Sequence, residues 1–361
     1  RAKPRLDGEI EIEGQRARVA AVTEPFSMFG TGYSIRRHRD NPWTLPLFIN
    51  NKTINPVYAG LMSFAITQGR TFLTAGPRGS GKTSMLGALI LEILPKYRII
   101  TVEDTAELPV EAYKDYGYDI VPFKVRSALL EEGFEMPFDK GLRTTLRLGD
   151  SALILGEIRS TEAKVLYEAM RVGAMSNTVA GTIHADDPYG VYDRVVNDLG
   201  VPKGSFKVTD LIIIQNQIKT ATGLSRKRRV LKVAEVDNDW EDKPTFTELL
   251  VYNAEEDRLE PTEALLNGES HMLQEIQERS GEHKSHDDVL ADIRLRGWAK
   301  KSLVDLVDGN KDLLEAEIVQ KANTALTLLH EKHNPLRDEE SLEAFKKAYL
   351  NRIKEIVSKH S

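Results

Sequence analysis

Apolar and polar residues change rhythm three times along this chain. Near the start, Glu9-Ile10-Glu11-Ile12-Glu13 alternates with period two, Gly14 interrupts, and the run from Arg16 to Val22 follows, so a hairpin is expected. Tyr33-Ser34-Ile35-Arg36-Arg37 predicts another strand, and Asn41-Pro42-Trp43-Thr44-Leu45-Pro46 reads as a linker. From about residue 51, short apolar runs alternate with stretches of helical period. Helices are expected at 56–68, 82–93, 140–148, 161–172 and 188–199. Strands are expected at 71–75, 98–102, 152–156, 178–183, 211–214 and 229–236, with an irregular stretch over 105–137. Near-continuous apolar strands between helices predict an α/β fold with a mainly parallel sheet covered on both faces. Beyond about 260 the chain is charged, helical in period and punctuated by Gly309 and Pro335. An α-helical C-terminal domain is expected there, with an amphipathic helix from Leu342 to Lys359 packed on its own domain. The reading divides the chain at 1–50, 51–236 and 237–361.

Composition narrows the picture without deciding it. The 361 residues suffice for two or three domains and a sizeable core. A net charge of -6 gives no global basic field, so no nucleic-acid partner is expected. The lack of any cysteine excludes disulfides and thiolate metal sites, and fits a reducing interior. No apolar run approaches the roughly 18 residues a membrane span needs, so no transmembrane segment is expected, and no signal peptide is visible. The chain opens on Arg-Ala-Lys-Pro without an initiator methionine and reads as a fragment lacking its true N-terminus.

The sharpest chemical signal is Gly76-Pro77-Arg78-Gly79-Ser80-Gly81-Lys82-Thr83-Ser84, a Gly-x4-Gly-Lys-Thr loop between a predicted strand and a predicted helix. Glycines let successive N–H groups form a nest for phosphates, and the helix N-terminus adds its dipole. Lys82 is suited to neutralise the β- and γ-phosphates, and Thr83 to offer its hydroxyl to Mg2+. The expected ligands are therefore a nucleoside triphosphate and Mg2+. Hydrolysis also needs carboxylates near the γ-phosphate. Thr101-Val102-Glu103-Asp104-Thr105-Ala106-Glu107 and Leu153-Ile154-Leu155-Gly156-Glu157-Ile158-Arg159 each end a predicted strand, where open parallel sheets bind ligands. The competing reading for Glu103, Asp104 and Glu107 is a solvated acidic loop. Most such proteins place an aspartate after the second apolar run; here Gly156 stands there, followed by Glu157. Gly181-Thr182-Ile183-His184-Ala185-Asp186-Asp187 puts a histidine at a further strand end, as either a structural residue or a phosphate sensor. Arg143 and Arg147 lie four apart on one face of the expected helix at 140–148.

In this order, the glycine loop, the 101–107 aspartate box, the Gly156-Glu157-Ile158-Arg159 segment and the 181–185 histidine box resemble the secretion ATPases of type II secretion, type IV pilus assembly and related type IV secretion machines. Leu142-Arg143-Thr144-Thr145-Leu146-Arg147 is similar to that family's arginine-bearing helix, and the tail resembles the helical extension of archaeal members, including the archaellum motor ATPase. The resemblance, which covers residues 1–236, implies a RecA-like P-loop core behind a small, partly truncated α+β N-terminal domain. It implies that Glu157 (at the metal with Thr83), Glu103 and Glu107 serve hydrolysis and that His184 senses the γ-phosphate. Arg36 and Arg37 from the small domain, and Arg143 and Arg147 at a subunit boundary, would then reach the nucleotide; a surface ion pair is the competing reading for each. It further implies a homo-oligomer, a hexameric ring, acting from the cytoplasmic face on a membrane-embedded platform protein. Three other readings stand beside it: a DNA translocase using the basic cluster Arg226-Lys227-Arg228-Arg229, otherwise expected as a solvated hairpin turn; an ATP-binding scaffold with little turnover; and an export ATPase handling protein or DNA cargo.

Overall fold

The structure, a computed structural model, describes residues 5–13, 15–37, 39–125, 151–160, 162–171, 178–220 and 222–360. Strands β1 (Arg5–Ile12), β2 (Gln15–Val22) and β3 (Gly32–Arg37) form a small antiparallel sheet in that order. Alternation on β2 buries Ala17, Val19 and Ala21 on one face and leaves Arg18 on the other.

The second sheet has nine strands: β4 (Phe72–Ala75), β5 (Arg98–Glu103), β6 (Ile120–Lys124), β7 (Ser151–Leu155), β8 (Val179–Ile183), β9 (Leu211–Lys219), β10 (Arg226–Val236), β11 (Phe246–Asn253) and β12 (Arg258–Pro261). Their order is β12-β11-β10-β9-β4-β8-β7-β5-β6. The run from β6 to β9 is parallel throughout, and β10, β11 and β12 extend it antiparallel. Period-two geometry sends neighbouring residues to opposite faces, so Phe72, Ile99, Ile154 and Ile213 enter one core while Leu73, Ile100, Leu155 and Ile212 enter the other. Both faces being dry is why these strands read as continuous apolar runs.

Helices α1 (Leu45–Asn50) and α2 (Pro56–Thr67) precede β4. Proline opens both, and Thr44 and Asn55 cap them, accepting from the N–H of Leu47 at 3.1 Å and of Tyr58 at 2.8 Å. The stretch expected as a linker thus ends in a buried helix. Helices α3 (Lys82–Ile90), α4 (Val110–Asp115), α5 (Glu162–Arg171), α6 (Pro188–Asp193, continued by a π turn Arg194–Asp198) and α7 (Lys203–Phe206) complete the α/β layers. The expected helix at 140–148, with Arg143 and Arg147, lies outside the described residues.

Two regions depart from the sequence reading. Within the stretch expected to be irregular, α4 and the edge strand β6 form; β6 carries Pro122 and is half-exposed, which blurs its signature. The sheet also continues beyond 236 through β11 and β12. The helical region then comprises α8 (Glu263–Leu266), α9 (His271–Arg279), α10 (His286–Leu306), α11 (Ala316–His333) and α12 (Glu339–Ser358). Its longest helix, α10, crosses α2 at contact distance. A Cβ on Gly60 would lie 1.9 Å from the Ile293 carbonyl oxygen, and one on Gly297 would lie 2.3 Å from that of Pro56. Among the described residues no helix is long and apolar enough to cross a membrane.

Candidate functional site

The carboxyl ends of β5, β7, β8 and β4 lie side by side, and the loop after β4 runs into α3. Three glycines of this loop take left-handed backbone, with φ of 155° at Gly76, 81° at Gly79 and 102° at Gly81. Pro77 is half-buried, Arg78 is exposed, and Ser84 sits in the first turn of α3. Ser80 is buried, and its Oγ has no hydrogen-bond partner among the described residues. α3 starts without a side-chain cap, leaving its first N–H groups to the loop. A glycine cradle, an unpartnered hydroxyl and a bare helix N-terminus fit an anionic, phosphate-bearing ligand.

Lys82, 8% exposed, folds back over the loop. Its ammonium donates to the carbonyls of Gly76 at 2.8 Å and Pro77 at 3.1 Å, and lies 3.4 Å from His184 Nδ1. Burial pushes its pKa down, against the pull of Glu157, Glu107 and Asp186. The next residue, Thr83, donates to Glu107 Oε2 at 3.0 Å.

The two acids of the 101–107 box that were expected to serve hydrolysis are placed differently. Glu107 faces the loop through Thr83. Glu103 is buried, and its Oε1 accepts the N–H groups of Glu107 at 3.1 Å and Leu108 at 3.2 Å. Burial, aided by the charges of Glu107 and Asp104, outweighs those two bonds and pushes its carboxyl up to about 8. Glu103 therefore pins the loop that presents Glu107. It also explains the glycine that replaces the usual aspartate: a Cβ on Gly156 would come 2.8 Å from Glu103 Cγ.

Glu157 follows β7 after the single residue Gly156 and bonds on both sides. One oxygen accepts from Arg159, and the other lies 3.2 Å from His184 Nε2. Arg159 also donates to Asp104 at 3.1 Å, which ties the ends of β5 and β7 together. Burial opposes ionisation of Glu157, but Arg159, His184 and Lys82 together hold its carboxyl below the usual range. Burial first, then Lys82, lowers the pKa of His184.

The small sheet touches this site through a residue that sequence reasoning did not select. Arg18 Nη1 lies 3.8 Å from Glu107 Oε1. Arg36 is its direct cross-strand partner, and Arg37 pairs with Ala17; both arginines are exposed on β3. The only sequence trace of Arg18 is its place opposite the small buried residues of an alternating strand. Arg159 stood inside a quoted motif but received no role. The basic cluster 226–229 is not a turn: it opens strand β10, where Arg229 is 5% exposed and holds Asp257 through Nε at 2.8 Å and Nη2 at 2.9 Å.

The chain resembles known proteins over much of its length. A putative conjugal transfer protein of Mycobacterium tuberculosis is 32% identical over 198 residues, spanning 54% of this chain and 54% of that protein. An uncharacterized protein of Methanocaldococcus jannaschii is 28% identical over 231 residues, 63% of this chain and 80% of its own length. The chain thus spans about half the length of the mycobacterial relative. Among solved structures, the Legionella pneumophila ATPase DotB is 18% identical, with 82% of this chain and 69% of that chain covered and a TM-score of 0.46. The pilus retraction motor PilT with bound ADP is 17% identical, with 78% and 72% covered and a TM-score of 0.45. The family described as type II/IV secretion system protein matches residues 5–296, and the chain belongs to that family.

Proposed function

We propose that this protein is an ATP-hydrolysing motor that powers secretion or the assembly of a pilus- or archaellum-like filament. One observation carries the reading: Lys82, Thr83, Glu107, Glu157 and His184 converge on a single glycine loop from four adjacent strand ends. Family membership supports it, as do relatives named for conjugal transfer, competence and type IV secretion.

In this reading residues 51–236, joined by β11 and β12, form the RecA-like P-loop core; 1–50 forms the capping unit and the rest of 237–361 the mostly helical unit. Lys82 exchanges the carbonyls of Gly76 and Pro77 for phosphate oxygens. Thr83 and Glu107, 3.0 Å apart, suit Mg2+, which takes one or two protein groups beside phosphate and water oxygens. When bound, Mg2+ neutralises phosphate charge and helps order the attacking water. Glu157, kept ionised by Arg159 and His184, accepts a hydrogen bond from that water. His184 bridges Glu157 and Lys82, so a change at the phosphate reaches both. Arg18, with Arg36 and Arg37 on the next strand, ties the small sheet to the phosphate end, and loss of the γ-phosphate loosens that tie. The working form is a homo-oligomer, a hexameric ring, at the cytoplasmic face of the cell membrane, pushing on a membrane-embedded platform.

The test is steady-state Mg2+-dependent ATP turnover against protein concentration, for wild type and Glu157→Gln. Turnover that rises cooperatively and vanishes in the variant supports a ring motor. Tight ATP binding without turnover at any concentration sinks it.

A further inference from the structure

The chemistry above leaves the β9–β10 hairpin without a task, yet this hairpin meets all three left-handed glycines of the loop. A Cβ on Gly76 would lie 2.1 Å from the carbonyl oxygen of Gln215 on β9. A Cβ on Gly79 would lie 2.9 Å from Gln217 Nε2, and one on Gly81 would lie 3.3 Å from Arg228 Cδ. The Gly79 carbonyl accepts two bonds from the hairpin, one from Gln217 Nε2 and one from Arg228 Nε at 3.1 Å. Gln217 and Arg228 are directly opposite across the ladder, so both side chains lie on one face. Arg226 donates to Gln217 Oε1 at 3.1 Å, which turns the amide nitrogen toward Gly79. Lys227 and Arg229 point the other way, to Asp257.

We propose that Gln217 and Arg228 are positioning residues for the phosphate loop. In a trans peptide the carbonyl and the following N–H point in opposite directions. Holding the Gly79 carbonyl toward the hairpin therefore turns the Ser80 N–H to the inner side of the loop, where it meets the Pro77 carbonyl at 3.2 Å. The hairpin presets the nest before the ligand arrives, and so sets phosphate affinity and not the rate of the chemical step. This inference rests on the nucleotide-binding reading above.

Calorimetric titration with ADP and with tripolyphosphate, beside steady-state kinetics, tests it on the intact chain. Gln217→Glu replaces a donor with a charge that repels the carbonyl, and Arg228→Gln removes a charged donor. Each is expected to weaken both ligands alike by about tenfold and to raise KM to match, with kcat within about twofold of wild type. Lys227→Gln, on the opposite face of the same strand, is expected to leave both affinities unchanged. Unaltered affinities in the two hairpin variants, or a fall in kcat at constant affinity, overturn the proposal while leaving the nucleotide site intact. A loss for ADP alone also overturns it, since that places the side chains against the nucleoside. A wild-type chain that binds neither ligand removes the nucleotide reading and this inference together.

Discussion

Two clusters of charge sit in this molecule, one at each end of helix α3, and they are built for different ends. At its N-terminus Lys82, Glu107, Glu157, Arg159 and His184 share a half-open site, and several of their bonds are makeshift: a lysine on loop carbonyls, a threonine on a glutamate. Beyond its C-terminus, Glu92 meets Lys300 at 2.8 Å with both side chains 2% exposed, and Asn323 closes the group by donating to Glu92 at 3.0 Å. About two turns back along α10, Asp292 is 1% exposed and surrounded by Arg296, His283 and His330. Each cluster holds an acid whose carboxyl lies below its usual range, Glu157 in one and Asp292 in the other. What separates them is the kind of partner: the buried cluster pairs its charges with one another, whereas the loop cluster sets a lysine on loop carbonyls and a threonine on a glutamate, partners that an incoming phosphate would replace.

If this contrast is right, substitutions in one cluster move turnover and in the other stability. The largest effect is expected from Glu157→Gln, a fall in turnover of about a thousandfold. Its midpoint in thermal melts should stay within a few degrees of wild type; a collapsed melt would erase the distinction. Next comes Lys300→Met, which leaves Glu92 buried without its cation and should cost about 3 kcal/mol in urea unfolding. Turnover per folded molecule should hold, and adding Glu92→Gln should recover most of the loss.

The acids also predict opposite pH slopes. Glu103, pushed up from 4.5 to about 8, binds more protons folded than unfolded across that window, so its contribution is present at acid pH and is lost as pH rises from about 4.5 to 8. For Asp292, burial opposes the charge, but Arg296 and the two histidines outweigh it and hold the carboxyl well below 3.8. Its contribution is present above that value and is lost as pH falls through the folded pKa. In unfolding free energies measured against pH, Glu103→Gln should flatten the neutral limb by up to about 1 kcal/mol per pH unit, and Asp292→Asn the acid limb. Equal changes on both limbs from either variant would refute the assignment. The smallest effect is expected from Gly156→Ala, which crowds Glu103 by one methyl and should cost about 1–2 kcal/mol. No change there would mean that the glutamate moves aside freely.

Much of the parallel sheet was legible because its strands are dry on both faces, so apolar runs such as Leu153-Ile154-Leu155 had no other home. The glycine loop was legible because its spacing is a geometric requirement. The pinning role of Glu103 was not, since it depends on which of two nearby acids turns inward, and that is settled by backbone N–H groups of its own loop. Arg18 stayed hidden for a related reason: its contact with Glu107 spans 89 residues of sequence between two sheets. The strands β11 and β12 were missed because half-buried antiparallel strands with charged turns resemble solvated chain.

The glycine crossing of α2 and α10 has a mechanical corollary. With Gly60 and Gly297 in backbone contact, these helices have no clearance to slide or roll, and Lys300, one turn on, bolts the same shaft to Glu92, just past the end of α3. In the motor proposed above, the C-terminal helices would then be chassis, not limb, and any play would fall to the small sheet, tethered near the glycine loop by the 3.8 Å reach of Arg18.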